Sequence, residues 1–179
     1  AMSLPETFQT TRLEAERLAA HHLADLIEFH RDPGVMAELG GVRDEEQTSR
    51  YLSRNLEHWA EHGFGVWMLR ERGGGSGCIG RAILRYLPLD GVNELEIGFA
   101  LYPRFWGRGL ATEVAEACTA FAWRDLDAPS LIGVTTPANH ASRRVLCKIG
   151  LHFEREIEME ETRCLLYRAA SPLFQVASG

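Results

Sequence analysis

Two hydrophobic spacings alternate along the chain, and each predicts a different element. Alternating apolar positions or short apolar runs predict strands, and apolar residues recurring every three or four positions predict helices. Predicted helices begin at 23, 44, 107 and 139 and end near 33, 63, 125 and 148. The predicted strands are 12–18, 64–71, 78–86, 92–101, 130–136, 151–159 and 163–167.

The order of these elements predicts the fold class. A strand, a helix and a strand between 92 and 136 imply a parallel crossover, and antiparallel hairpins flank it on both sides. The glycine-rich stretch Gly73–Gly77 is interpreted as a hairpin loop rather than a domain boundary. We therefore expect a single α+β (α/β) domain with a mixed sheet of about seven strands and helices on both faces.

Composition narrows the class of protein. The chain has 179 residues, of which 45% are hydrophobic and 25% charged, as in one ordinary soluble domain. No apolar run reaches transmembrane length and no secretory signal opens the chain, so no membrane partner is expected. The net charge of −6 argues against a nucleic-acid partner. Four widely spaced cysteines favour reduced thiols and a cytoplasmic protein.

A glycine-rich turn, Tyr102–Glu113, lies between a predicted strand and a predicted helix. Gly107 and Gly109 let a ligand approach the backbone closely, and the helix start directs N–H groups and the positive end of its dipole at one point. Arg104 and Arg108 add positive charge. The segment is interpreted either as a phosphate site or as a tight turn whose glycines only relieve strain.

Two common nucleotide motifs are absent from this turn. No G-x-x-x-x-G-K-[ST] is present, and the third glycine of G-x-G-x-x-G is replaced by Thr112. The remaining pattern is R-x-x-G-x-G-x-A.

That pattern resembles the acyl-CoA-binding loop Q/R-x-x-G-x-G/A of the GNAT superfamily of N-acetyltransferases. The similarity continues over residues 8–170, leaving 1–7 and 171–179 as terminal extensions, and the most similar branch is the RimJ/RimL type. The other segments that resemble the family are Thr10–Leu13, Asp32–Met36, His62–Trp67, Ile79–Arg81, Asn139–Leu146 and Lys148–Leu151.

The resemblance implies a co-substrate and its site. It implies a sheet splayed between the fourth and fifth strands, direct attack of an amine on acetyl-CoA in a ternary complex, and no metal. Asn139 also has a simpler interpretation as a helix N-cap, and Ser142 and Arg143 as ordinary first-turn residues. The expected acetyl-CoA-binding residues are Phe99, Leu101, Arg104, Trp106, Gly107, Arg108, Gly109, Leu110, Ala111, Asn139, Ser142 and Arg143.

Proton removal from the amine points to the predicted strand before the loop. Alternation places Glu94, Glu96 and Gly98 on one face, and the resemblance implies a general-base glutamate here, with Glu96 preferred. A solvated strand face or an ion pair remains an alternative for either glutamate. The family often has a Tyr that acts as general acid, and the corresponding position here is Leu146. Ser142 or water is therefore expected to protonate the leaving thiolate of coenzyme A.

The acceptor is expected to be a primary amine, either a protein N-terminus or a small molecule, bound between the early helices and the last hairpin. The alternatives are a catalytically silent acyl-CoA-binding or sensory module on the same fold, and a purely structural domain. His58 and His62 are four residues apart but have no evident third ligand, so no metal site is expected. The chain is expected to be a monomer or a homodimer.

Overall fold

The structure, a computed structural model, describes residues 2–75 and 77–175. Ser76 of the predicted glycine loop, together with Ala1 and 176–179 of the predicted terminal extensions, lies outside the described residues. The strands are β1 (Thr7–Gln9), β2 (Leu13–Arg17), β3 (Val66–Glu71), β4 (Gly80–Leu89), β5 (Val92–Leu101), β6 (Ser130–Thr135), β7 (His152–Met159) and β8 (Thr162–Ala170). The helices are α1 (Leu23–Arg31), α2 (Pro33–Met36), α3 (Glu45–His62), α4 (Leu110–Arg124), α5 (His140–Lys148) and α6 (Pro172–Gln175).

The strands form one mixed sheet in the order β1-β2-β3-β4-β5-β6-β8-β7. The predicted α+β class is confirmed, although the described sheet has eight strands rather than about seven. The additional strand is β1, whose three residues pair antiparallel with β2 from Thr7↔Glu16 to Gln9↔Glu14. A strand of three residues is too short for alternation to reveal it.

The sheet opens between β5 and β6. These strands are parallel, as the crossover predicted, but among the described residues their register contains the single pair Glu96↔Ile132. In contrast, β5 pairs with β4 along its whole length, from Val92↔Leu89 to Leu101↔Gly80. The last residues of β5 therefore diverge from β6, which confirms the expected splay.

Helices cover both faces of the sheet. The guanidinium of Arg81 on β4 lies 5.6 Å from the ring centroid of Phe29 on α1. Its neighbour Ala82 points the other way. On that face Trp67, the cross-strand partner of Ala82, stacks with Phe121 of α4 at 5.9 Å.

Local sequence signals fix the helix ends. Asp44 and Gln47 form the predicted capping box, in which each side chain accepts a 2.8 Å hydrogen bond from the other residue's N–H. Gly63, at φ 77°, ends α3 in the left-handed conformation that glycine adopts freely. Its carbonyl accepts a hydrogen bond from the N–H of Leu4, a core residue within the predicted N-terminal extension. Among the described helices, none is both long and apolar enough to cross a bilayer.

Candidate active site

Two cavities meet at the point where β5 and β6 diverge. The larger one, of about 620 Å³, lies between the end of β5, the start of α4 and the side of α5. The smaller one, of about 230 Å³, lies over β4 and β5. The residues that line both cavities are Glu38, Leu39, Phe99, Ala100, Asn139 and Ser142.

The N-terminus of α4 opens into the larger cavity. Its N-cap is Gly109, which has no side chain to cap the first turn, and the first bond of the helix runs from Glu113 N–H to the Gly109 carbonyl at 3.0 Å. Leu110, Ala111 and Thr112 line the cavity, so their backbone N–H groups are available to a ligand there. This arrangement fits an anion such as a phosphate.

The loop before α4 holds this opening in shape. Gly107 and Gly109 have φ values of 73° and 76°, in the region that favours glycine. A Cβ at Gly107 would meet no atom within 4 Å, because the loop faces open space. The two glycines therefore allow the positive φ angles of this loop. At Gly107 the absence of a side chain also leaves the backbone accessible to a ligand.

Basic side chains reach the larger cavity from α5 instead of from the loop. Arg144 and Lys148, four residues apart on one helix face, line it, and neither was among the predicted site residues. Their spacing on a helix that follows the Asn139 cap was the signal that could have identified them.

The three arginines expected to bind the co-substrate make contacts within the protein. Arg104 lies 4.9 Å from the ring centroids of both Tyr102 and Phe105. Arg108 is ion-paired with Glu71 at 3.0 Å. The guanidinium of Arg143 donates to the Tyr167 hydroxyl and to the Pro137 carbonyl, at 3.1 and 3.0 Å.

The free side of β5 forms one wall of the larger cavity. Phe99, Ala100 and Leu101 line it beyond the last pairing with β6. The carbonyl of Leu101 accepts a 2.8 Å hydrogen bond from the indole N–H of Trp106, which also lines the cavity and is 54% exposed. Backbone groups on the β6 side of this segment are therefore positioned to pair with an extended ligand.

Asn139 and Ser142 lie where the cavities join. The Asn139 Oδ1 accepts from the Ser142 N–H at 3.2 Å, so Asn139 caps α5 as its simpler interpretation predicted. Its side-chain amide NH₂ remains a donor, and the Ser142 hydroxyl is both donor and acceptor.

The two candidate glutamates differ in position. Glu96 lines the smaller cavity, is 7% exposed and forms an ion pair with Arg85 at 2.6 Å. Glu94 is held by two hydrogen bonds from Arg168, at 2.8 and 3.1 Å. Each carboxylate therefore forms the ion pair that was left open as an alternative, and Glu96 is the one that also faces a cavity.

Leu146 occupies the position where the resembled family often has a Tyr. It is buried, and its Cδ2 lies 2.5 Å from where a Cβ on Gly133 of β6 would be, so the leucine fills the space that this glycine leaves. An apolar side chain packed in this way cannot donate a proton.

Backbone groups engage a ring nitrogen in two of the histidines, His58 and His22. His58 Nε2 accepts from the Tyr86 N–H at 3.0 Å, so its Nδ1 carries the proton donated to the Phe64 carbonyl at 2.7 Å. Glu16, His21 and His22 bring three potential ligand atoms within 4.8 Å of one another. However, His22 Nδ1 accepts from a backbone N–H at 2.9 Å, which places the proton of the neutral ring on Nε2, the atom that faces Glu16.

Comparison with known proteins agrees with this geometry. The profile of the family described as "Acetyltransferase (GNAT) domain" matches residues 12–152. The chain is 30% identical to the FsC-acetyl coenzyme A-N(2)-transacetylase of Aspergillus fumigatus over 154 residues, which are 81% of this chain and 64% of that enzyme. The crystal structure of an acetyltransferase from Agrobacterium tumefaciens str. C58 superimposes with a TM-score of 0.80 at 30% identity, covering 96% of this chain and 97% of that one.

A further solved structure shares the fold at low identity. RimL, a ribosomal L7/L12 alpha-N-protein acetyltransferase solved in complex with coenzyme A, has a TM-score of 0.75 at 17% identity, and the match covers 93% of this chain and 98% of RimL. On the family match, which spans most of the sequence, the chain belongs to the GNAT acetyltransferases.

Proposed function

We propose that the protein transfers an acetyl group from acetyl-CoA to a primary amine by direct attack in a ternary complex. One observation carries this proposal: the uncapped start of α4 and the diverging end of β5 border the same 620 Å³ cavity. An anion site and a free strand edge together suit a long ligand with phosphates at one end. The smaller cavity, with Glu96, joins the other end of that path.

The residues of the larger cavity fit acetyl-CoA as follows. The backbone N–H groups of Leu110, Ala111 and Thr112 would bind its pyrophosphate, and Arg144 and Lys148 would balance the remaining phosphate charge. The backbone between Phe99 and Leu101 would hold the extended arm. Acetyl-CoA supplies the acyl group as a thioester, which needs no metal for activation.

The smaller cavity provides for the proton movements of the reaction. The amine nitrogen forms a bond to the acyl carbon, the carbon–sulfur bond breaks, and Glu96 accepts the amine proton directly or through water. Its ion pair with Arg85 holds the Glu96 carboxylate at the wall of this cavity, where the acceptor amine would bind. The leaving thiolate would take a proton from Ser142 or water.

Relatives support the choice of an amine acceptor. The Aspergillus enzyme is named as an N(2)-transacetylase and RimL as an alpha-N-protein acetyltransferase. These names support our proposal of an enzyme of the RimJ/RimL-like branch, acting in the cytoplasm on a protein N-terminus or a small-molecule amine.

Calorimetry with acetyl-CoA tests the proposed site. Gly107→Val should weaken binding at least about tenfold, because the side chain would enter the approach to the α4 start and the residue would be strained at φ 73°. Gly91→Val is the matched control: its φ of 78° is equally demanding and its surroundings equally open, but Gly91 lies in the β4–β5 turn. Absence of acetyl-CoA binding to the unmodified protein at millimolar concentration would overturn the proposal.

Two structural facts keep the catalytically silent module as an alternative. Leu146 occupies the expected acid position, and Glu96 is already paired with Arg85. Acetyl-CoA binding without thiol release across a broad panel of amines would favour this alternative. A purely structural domain would gain no thermal stability from coenzyme A.

A further inference from the structure

The smaller cavity contains a concentration of positive charge. Its walls include Arg43, Arg81 and Arg85, together with Tyr51. The whole chain has a net charge of −6, so this cluster does not follow from a generally basic surface. Its own contacts must explain why three cations lie together.

Arg85 is neutralised, but the other two are not. Arg85 is paired with Glu96 at 2.6 Å. Within residues 2–75 and 77–175, no carboxylate oxygen lies within ion-pair distance of Arg43 or Arg81. Glu38, the other acid in the wall, accepts a 2.6 Å hydrogen bond from the Thr136 hydroxyl across the cleft.

Both arginines without an ion-pair partner lie over the same aromatic ring. The guanidinium of Arg43 lies 5.3 Å from the ring centroid of Tyr51, and that of Arg81 lies 4.6 Å from the same centroid. Such contacts only partly offset the loss of water around a cation. The Nη1 atom of Arg43 is shielded from solvent and makes no hydrogen bond to any described residue.

His30 holds Arg81 in place without balancing its charge. Its Nε2 accepts from Arg81 Nη1 at 2.9 Å, and its Nδ1 then donates to the Thr48 hydroxyl at 2.9 Å. Burial, followed by the charges of Arg81 and Arg43, lowers the pKa of His30 to about 3, so the ring is neutral at physiological pH. Arg81 is only 9% exposed, and a buried cation of this kind is costly without an anion beside it.

We propose that Arg43 and Arg81 bind an anionic group of the acceptor, a carboxylate, so that the acceptor is an amino-acid-like amine. This inference rests on the proposed acetyl transfer and names its acceptor class. Guanidinium groups donate in pairs to planar carboxylates, and Arg43 Nη1 gains the partner it lacks. A zwitterionic amine fits this cavity better than a polyamine or an aminoglycoside, whose positive charges the arginines would repel.

Size and position agree with such an acceptor. A cavity of about 230 Å³ is smaller than the roughly 300–1,000 Å³ typical of sites for drug-sized ligands. With its carboxylate on Arg43 and Arg81, the acceptor would extend its amine along the wall towards Phe99 and Ser142, where the two cavities join. The amine would also pass Glu96, the proposed base.

Matched acceptor pairs test the proposal on the unmodified protein. Thiol release from acetyl-CoA is measured with L-amino acids and with their carboxamides, and we expect kcat/KM to be about 10- to 100-fold higher for the carboxylates. The carboxamides have the less basic and more reactive α-amine, so intrinsic reactivity works against this expectation. Ethanolamine and phosphoethanolamine form another pair, which distinguishes a phosphate from a carboxylate. Equal rates within all pairs, or a preference for polyamines, would overturn the inference.

Variants then locate the anion site. Arg43→Met and Arg81→Met should raise KM for carboxylate acceptors about tenfold or more while leaving KM for acetyl-CoA unchanged. Arg50→Gln is the control, because it removes an exposed arginine of α3 whose partner is Glu46. Arg43 is less buried than Arg81, so its variant provides the test if Arg81→Met does not fold. Equal losses with carboxylates and carboxamides would contradict a specific anion site.

Binding without chemistry separates this inference from the proposed function. With coenzyme A present, the thermal stability of the protein is measured with added amino acids or carboxamides. A larger stabilisation by amino acids, lost in Arg43→Met, supports the anion site even when no acetyl transfer is detected with any amine. No difference between the two series counts against the anion site, whether or not the protein is an active transferase.

Discussion

At the scale of single residues, the reactivity of Glu96 depends on its partner. The carboxylate lines the smaller cavity and forms an ion pair with Arg85 at 2.6 Å. The pKa of Arg85 is raised because the charge and hydrogen bond of Glu96 outweigh the effect of burial, which is the largest single contribution. The ion pair therefore fixes the Glu96 carboxylate in the wall of the smaller cavity.

Replacing Glu96 by Gln removes this charge while preserving the shape of the side chain. We expect Glu96→Gln to lower kcat by about 10²-fold or more and to leave acetyl-CoA binding unchanged, because the residue lies in the smaller cavity. Steady-state kinetics and calorimetry measure the two effects.

Glu94→Gln is the comparison for this test. It breaks the pair with Arg168 instead and should retain most of the turnover. Comparable losses of kcat in both variants would contradict the choice of Glu96.

At the scale of elements, one glutamate joins the start of α4 to the β1–β2 turn. Glu113 accepts hydrogen bonds from the Thr10 hydroxyl at 2.5 Å and from the backbone and side chain of Arg12, each at 2.8 Å. Arg12 also donates to the carbonyl of Arg108, at 2.7 Å. The glycine loop is thereby fixed from outside the site.

Glu113→Gln tests this connection. Burial opposes ionisation of Glu113, but the hydrogen bonds from Thr10 and Arg12 outweigh it and hold the pKa of the carboxyl below its ordinary value. The folded state therefore gains stability above pH about 4.5 that is lost as the pH falls through the lowered pKa. We expect the free energy of unfolding of the variant to be about 1–2 kcal/mol lower than that of the wild type at pH 7. This difference should become smaller below pH about 4.

Urea unfolding at several pH values measures this effect. Glu116→Gln provides the control, since Glu116 lies on the exposed side of the same helix. A Glu113→Gln difference that is constant from pH 7 to pH 3 would contradict the role given to the ionised carboxylate.

The sequence predicted elements best where the determining contacts are local. The Asp44–Gln47 capping box, the Gly63 stop and the range of β5 were all predicted, because each depends on neighbours in the chain. The short strand β1 was missed, since three residues give no periodicity and its pairing with β2 supplies most of its definition.

At the scale of the whole molecule, two buried histidines and one half-buried histidine are expected to set the response to acid. Burial is the largest cause that lowers the pKa of His22, His30 and His58 from the ordinary value of 6.5. The unfolded chain therefore binds protons that the folded protein does not, below pH about 6.5. The free energy of unfolding should therefore decrease below pH about 6.5, by up to about 1.4 kcal/mol per pH unit for each histidine.

Calorimetric unfolding between pH 7.5 and 5 tests this expectation in a range where the carboxylates stay ionised. The wild-type Tm should be nearly constant above pH 6.5 and decrease below it. His30→Gln should show a shallower decrease, and His140→Gln, which changes an exposed histidine, should not. A Tm that is independent of pH over the whole range would contradict the assignment.

Contacts between distant parts of the chain explain what the sequence could not reveal. Arg43 lies in the loop after α2 and Arg81 on β4, and only the packing of α1 and α3 over the sheet brings both onto the ring of Tyr51. The glycine loop was recognisable because strand, turn and helix follow one another. The charges around the smaller cavity have no such continuous signature.

The divergence of β5 from β6 also gives the molecule a strand edge in its interior. An exposed edge of this kind recruits strands from other chains and promotes aggregation, so proteins usually shorten it, charge it or cover it. Here the start of α4 and the side of α5 flank the edge within a cavity. Another polypeptide strand carries side chains on both faces and would have to fit between these two helices to reach the edge. The walls of the larger cavity thus also cover this edge of the sheet, and we expect them to limit its pairing with other chains.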